Sequence, residues 1–113
     1  MTDAPNAADR RRYRRVQAPI LVRPASIFSR VVPRRVNDIS LGGLRTYSDD
    51  PVVIGQRQEI ELLFQSGGSA TMLVEVAWVE TLAADAPAKY ECGLRIVNAR
   101  QQDIDAIAKA LGD

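Results

Sequence analysis

Apolar residues in this 113-residue chain recur at every second position in short blocks, a period that suits strands and not helices. Residues 16–22 set Val16, Ala18, Ile20 and Val22 on one face and Gln17, Pro19 and Leu21 on the other. Residues 58–64 set Ile60, Leu62 and Phe64 against Glu59 and Glu61. Residues 71–80 form the most β-rich block, with Met72, Val74, Val76 and Trp78 sharing a face. A later block alternates Tyr90, Cys92, Leu94 and Ile96 with Glu91, Gly93 and Arg95. Two more strands are expected around 29–37 and over 44–47, and Pro19 and Pro33 suggest edge or bulge positions. The intervening segments 38–43, 48–51, 65–69 and 81–88 carry Gly, Pro, Ser and Asp in the manner of turns and loops.

The period changes only at the C-terminal end. Ile104, Ile107, Ala108 and Leu111 fall on one face of a helix expected over 99–111. Asn98 and Gln101 suggest a capping box at its start, and Gly112 suits its end. Six close-spaced strands and one terminal helix predict an all-β domain, a small six-stranded antiparallel β-barrel with the helix at one end. A parallel sheet is disfavoured, because no helical pattern separates the strands.

Composition narrows the chemistry. At 46% apolar and 26% charged residues, the chain is an ordinary globular domain with one core. It has no histidine, which removes Ser-His-Asp and Cys-His catalysis and the commonest transition-metal ligand. Cys92 is the single cysteine, so no internal disulfide can form and a zinc site is not expected. That usage fits a reducing compartment, and a cytoplasmic location is expected. Residues 1–10 hold no apolar run, so no signal peptide is expected, and no stretch has the length of a membrane span. No carboxylate cluster suggests a two-metal phosphodiesterase.

The net charge of +1 conceals two unlike halves. Residues 1–46 hold ten arginines, no lysine and three aspartates, a net +7, whereas the remainder holds five basic and eleven acidic residues, a net −6. Arginine presents a planar donor fork that matches phosphate and stacks on flat rings. Residues 1–9 read as a loose tail, and residues 10–15, Arg-Arg-Arg-Tyr-Arg-Arg, as a cationic arm expected to stay mobile until an anion arrives.

Two short motifs stand out. Arg11 and Arg15 are spaced Arg-x-x-x-Arg, as are Arg10 and Arg14. Asp38, Ser40 and Gly43 form Asp-x-Ser-x-x-Gly. Singly, the first is a solvated charge run and the second ordinary turn chemistry. Together and in this order they resemble the PilZ domain family, whose members bind the bacterial second messenger cyclic di-GMP. The resemblance runs from about Arg10 to the C-terminal helix. It extends to Val-Glu-Val-Ala-Trp-Val (74–79) and Cys-Gly-Leu-Arg-Ile (92–96), and no essential motif position departs from the pattern.

The resemblance implies a PilZ-type barrel over 16–97, a helix over 99–111 and a non-enzymatic receptor without cofactor or metal. The length fits a stand-alone domain of this family. Arg11 and Arg15 match the family's ligand arginines, Arg10 matches a position that often contacts ligand, and Arg12 and Arg14 are secondary candidates. Asp38 matches the acceptor for guanine N1 and N2 hydrogens, Ser40 the hydroxyl that orients the loop or touches the base, and Gly43 a close backbone approach. Trp78 has two readings, a core residue beside Val74 and Val76 or a ring against guanine. Tyr13 could anchor the arm or stand in solvent, and Cys92 reads as a small buried hydrophobe. The expected partners are cyclic di-GMP and an unidentified downstream protein. Two rivals are a motility or pilus adaptor that binds no nucleotide and a small basic barrel that binds nucleic acid. The acidic second half and the 5% aromatic content disfavour the latter.

Overall fold

The computed structural model of the chain describes residues 19–25 and 32–112. Within them six strands run β1 (Leu21–Pro24), β2 (Arg34–Ser40), β3 (Gly43–Ser48), β4 (Arg57–Leu63), β5 (Ser69–Thr81) and β6 (Tyr90–Ala99), followed by helix α1 (Gln101–Ala110). The strands close into a barrel in the order β1-β2-β3-β6-β5-β4, with every pair antiparallel. The expected architecture is therefore the one observed.

Period two explains the interior. Ile39, Leu44, Ile60, Leu62, Met72 and Val74 all point inward and are buried, and α1 adds Ile107 and Leu111 to the same core. Gly67, at φ 99°, turns the β4–β5 hairpin, where a side chain would be strained. Gly112, at φ 89°, follows the last helical turn.

Several boundaries differ from the sequence reading, each for a physical reason. The first strand starts at Leu21, and residues 16–18 of the expected strand lie outside the described residues. Ile20 still accepts the Val36 backbone N–H at 2.9 Å, so the pairing begins one residue before β1 itself. The second strand runs over 34–40, with 32 and 33 before it, and residues 29–31 of the expected strand lie outside the described residues. Asp38, Ile39 and Ser40, expected in a turn, belong to β2, and the turn is only Leu41–Gly42. Closure of the barrel gives β1 and β2 neighbours on both sides, so neither is an edge; Pro19 and Pro33 precede the strands.

The capping box does not form. β6 continues through Ala99, so Asn98 is still strand and Arg100 takes the N-cap position with no side-chain cap bond. Asp103, the buried residue of the first turn, reaches out of the helix instead. It accepts the Thr71 backbone N–H at 3.0 Å and the Arg100 Nε–H at 2.8 Å. Its carboxylate thus continues the β5 hydrogen bonding where β6 ends, and ties α1 to the barrel wall.

Candidate functional site

The β2–β3 hairpin places the Asp-x-Ser-x-x-Gly motif. Ile39 pairs with Leu44 and both face the core, so the flanking pairs Asp38–Arg45 and Ser40–Gly43 face outward. Strict alternation would have sent Asp38 inward with Val36. A one-residue bulge at Asn37 breaks the register between Val36 and Asp38 and turns the aspartate out.

A second bulge acts on Trp78. Val76 pairs with Leu94, but Trp78 pairs with the very next residue of β6, Gly93, leaving Ala77 as the extra residue. The expected face shared by Met72, Val74, Val76 and Trp78 therefore ends at Val76. Trp78 lies on the outer surface, 37% exposed, and is not a core residue.

These two bulges align one row across four strands. In register it runs Asp38 on β2, Arg45 on β3, Gly93 on β6 and Trp78 on β5. The adjacent row runs Ser40, Gly43, Arg95, Glu75 and Arg57. Asp38, Ser40 and Gly43 thus share one outer face with Trp78, which is far from them in sequence.

Asp38 is only 7% exposed and is ion-paired with Arg45. Arg45 donates from Nε to Asp38 Oδ2 at 2.7 Å, and its Nη2 contacts the same oxygen. The hydrogen bond to Asp38 is the main reason the Arg45 guanidinium is held above its ordinary pKa, against the opposing effect of burial. Arg45 also faces Glu91 at 3.9 Å, and Glu91 accepts Asn37 Nδ2–H at 2.8 Å. The result is a polar network in which an aspartate acceptor is fixed by a half-exposed cation. Ser40 Oγ accepts the Gly42 backbone N–H at 3.2 Å, which holds the tight turn. Gly43 has no room for a side chain, since a Cβ there would run into the Leu94 carbonyl oxygen of β6.

Beside them, Glu75 accepts Arg57 Nε–H at 3.0 Å and lies 3.2 Å from Arg95 Nη2. Those two hydrogen bonds, Arg57 first, hold its carboxyl below the usual range. Cys92 points inward and is buried, and that burial pushes its thiol pKa up. Its Sγ lies 3.6 Å from the Thr46 carbonyl oxygen.

Arg10, Arg11, Arg12, Tyr13, Arg14 and Arg15 lie outside the described residues. Sequence reasoning missed Arg45, Glu91 and Asn37. Their roles depend on cross-strand register, and the only local signal was an arginine two positions beyond Gly43. Among the described residues no group of three or more His, Cys, Asp or Glu could hold a metal ion, and no helix is long and apolar enough to cross a membrane.

The PilZ domain family model matches residues 9–112 of the chain. The chain belongs to the PilZ domain family. Solved structures agree on the fold of this PilZ domain. YcgR from Escherichia coli in complex with c-di-GMP superposes with a TM-score of 0.68 at 19% identity, over 90% of this chain and 44% of that one. The K. pneumonia MrkH–c-di-GMP complex gives 0.71 at 20% identity, over 90% and 51%. The PilZ domain of E. coli YcgR with c-di-GMP gives 0.62 at 20% identity, over 88% and 87%. The chain spans about half the length of the first two proteins. Comparison with curated proteins returns no match.

Proposed function

We propose that this PilZ domain is a receptor for cyclic di-GMP that binds the dinucleotide without transforming it. The observation that carries the reading is the convergence of Asp38, Ser40, Gly43 and Trp78 on one outer face of the barrel. The family, and three structurally similar chains that hold c-di-GMP, support it.

The chemistry is complementary. A carboxylate at Asp38 accepts from the N1 and N2 hydrogens of a guanine, and the Arg45 hydrogen bond keeps that acceptor aimed. Ser40 holds the turn beside it, and the Trp78 ring offers an aromatic surface to a base. In this reading Arg11 and Arg15 meet the phosphates or the O6/N7 edge of guanine, with Arg10 beside them and Arg12 and Arg14 in lesser roles. Closure of residues 10–15 over the ligand creates a composite surface of protein and nucleotide, which a downstream protein reads.

Calorimetric titration tests the reading. Affinity near micromolar corresponds to about −8 kcal/mol. Losing one charge-assisted contact of roughly 1.5–3 kcal/mol, as in Arg11→Ala or Arg15→Ala, weakens binding about ten- to a hundredfold. GTP and a short single-stranded DNA serve as controls and give no saturable heat. An Arg15→Ala isotherm like that of the parent removes Arg15 from the site, and steep salt dependence with DNA binding favours a nucleic-acid barrel.

A further inference from the structure

Gly93 occupies an unusual place on the candidate face. It stands in register with Arg45 on one side and Trp78 on the other. A Cβ built there would overlap Trp78 Nε1 and Cε2 and stand 2.8 Å from Cδ1. The five-membered ring of the indole therefore lies directly on the Gly93 backbone. The bulge at Ala77 is what directs the ring outward, and the missing side chain at Gly93 is what lets it lie down.

We propose that Gly93 is a positioning residue for ligand binding, acting through Trp78. Gly93 and the Ala77 bulge form a seat that holds the indole flat over β6, next to Arg45, as the stacking floor for one guanine. The inference rests on the cyclic di-GMP reading and deepens it. It explains why a tryptophan can remain 37% exposed and yet be placed by backbone alone. A ring so seated has its face fixed before ligand arrives, so little rotamer freedom is lost on stacking. Any side chain at position 93 lifts or turns the ring and spoils the floor, while leaving Asp38 and its Arg45 pair intact.

A purely structural role is the competing outcome. An aromatic ring laid over a strand glycine also shields the backbone. The two roles separate in a double-mutant cycle on the full chain, with cyclic di-GMP as the probe and both calorimetry and tryptophan emission as readouts. Trp78 is the only tryptophan, so the emission reports this ring alone.

The parent emission changes on saturation with cyclic di-GMP. Trp78→Leu weakens binding about tenfold, in line with the worth of one base–aromatic stack. Gly93→Ala weakens it to a similar degree and alters the emission of the free protein. Gly93→Ala combined with Trp78→Leu binds no worse than Trp78→Leu alone. Where Gly93→Ala does not fold, Trp78→Phe decides, by restoring binding to within about threefold of the parent, since Phe keeps a stacking face. A Gly93→Ala protein that melts earlier but binds like the parent overturns the inference, as do additive losses in the double variant, an emission unmoved by saturating ligand, or a Trp78→Phe protein no better than Trp78→Leu. Binding by the parent in each of these cases leaves the receptor reading standing. No binding by the parent removes the receptor reading and this inference with it.

Discussion

Asp38 and Asp103 are both buried aspartates paired with an arginine, at 7% and 3% exposure. They sit at different parts of the barrel and have different kinds of partner. Asp103 accepts a backbone N–H, that of Thr71, where β6 runs out and α1 begins. Its second partner, Arg100, is on its own helix terminus. Backbone cannot be exchanged for a ligand, so this carboxylate is committed to the fold. Asp38 is held by the side chain of Arg45, 41% exposed, on a face shared with Ser40, Gly43 and Trp78. A side chain can shift and share its acceptor with incoming donors. In the proposed reading, the same pair of chemical groups serves closure at one place and recognition at the other. Asp103 is tied to the main chain of β5, and Asp38 to an arginine that stands half in solvent.

Four tests bear on this contrast. The largest effect belongs to Gly43→Ala, which forces a Cβ into the Leu94 carbonyl and splays β3 from β6. Overpacking of this kind costs roughly 3 kcal/mol, a fall in Tm of more than about 10 °C, with binding lost as well. A melt like that of the parent would disprove the β3–β6 contact.

Next comes the exchange of the two aspartates' roles. Asp103→Ala leaves the Thr71 N–H without its acceptor and costs about 2 kcal/mol of stability. Its Kd for cyclic di-GMP stays within about twofold of the parent, because nothing on the binding face has changed. Asp38→Ala raises Kd by about tenfold or more. Thermal melts and isotherms on both variants should show stability and affinity moving separately. Coupled losses in both would erase the distinction.

Acid sharpens it further. The Arg100 hydrogen bond, with the Thr71 N–H, holds the Asp103 carboxyl below its usual range against the opposing effect of burial. A group with a depressed folded pKa binds protons more readily when unfolded. Its stabilisation is therefore complete above the unfolded value, about 3.9, and fades as pH falls through the lower folded value. Stability measured by denaturant titration should drop below pH 4 in the parent, and drop less in Asp103→Asn.

The smallest effect is expected from Arg57→Ala. Its ion pair with Glu75 is exposed, and Glu75 keeps Arg95 as a second partner. A loss below about 0.5 kcal/mol and an unchanged isotherm are expected.

The barrel was legible in the sequence because its signal is repeated. Ile60 and Leu62, Met72 and Val74, Cys92 and Leu94 each announce a buried face by alternation, and the closing helix by its change of period. The Asp-Ser-Gly motif was legible by resemblance, although it lies in strand and hairpin and not in a six-residue turn. The bulges at Asn37 and Ala77 were not legible. A single extra residue reverses the inward and outward faces beyond it and leaves no compositional mark. That is why Trp78 reads as core from its neighbours and stands outside in the fold. Arg45 escaped notice for a related reason, since its partner is set by register across two strands. The expected capping box gives way because β6 runs on through Asn98 to Ala99, and Asp103 instead gives its carboxylate to the Thr71 N–H of β5.

Amide and indole shifts recorded while cyclic di-GMP is added to the isotope-labelled chain test the central claim most directly. Saturable changes are expected at Asp38, Ser40, Arg45, Gly93 and the Trp78 indole N–H, with Thr71 and Asp103 unmoved. Changes centred on the α1 junction with the row from Asp38 to Trp78 silent, or no changes at ligand concentrations far above micromolar, would contradict it.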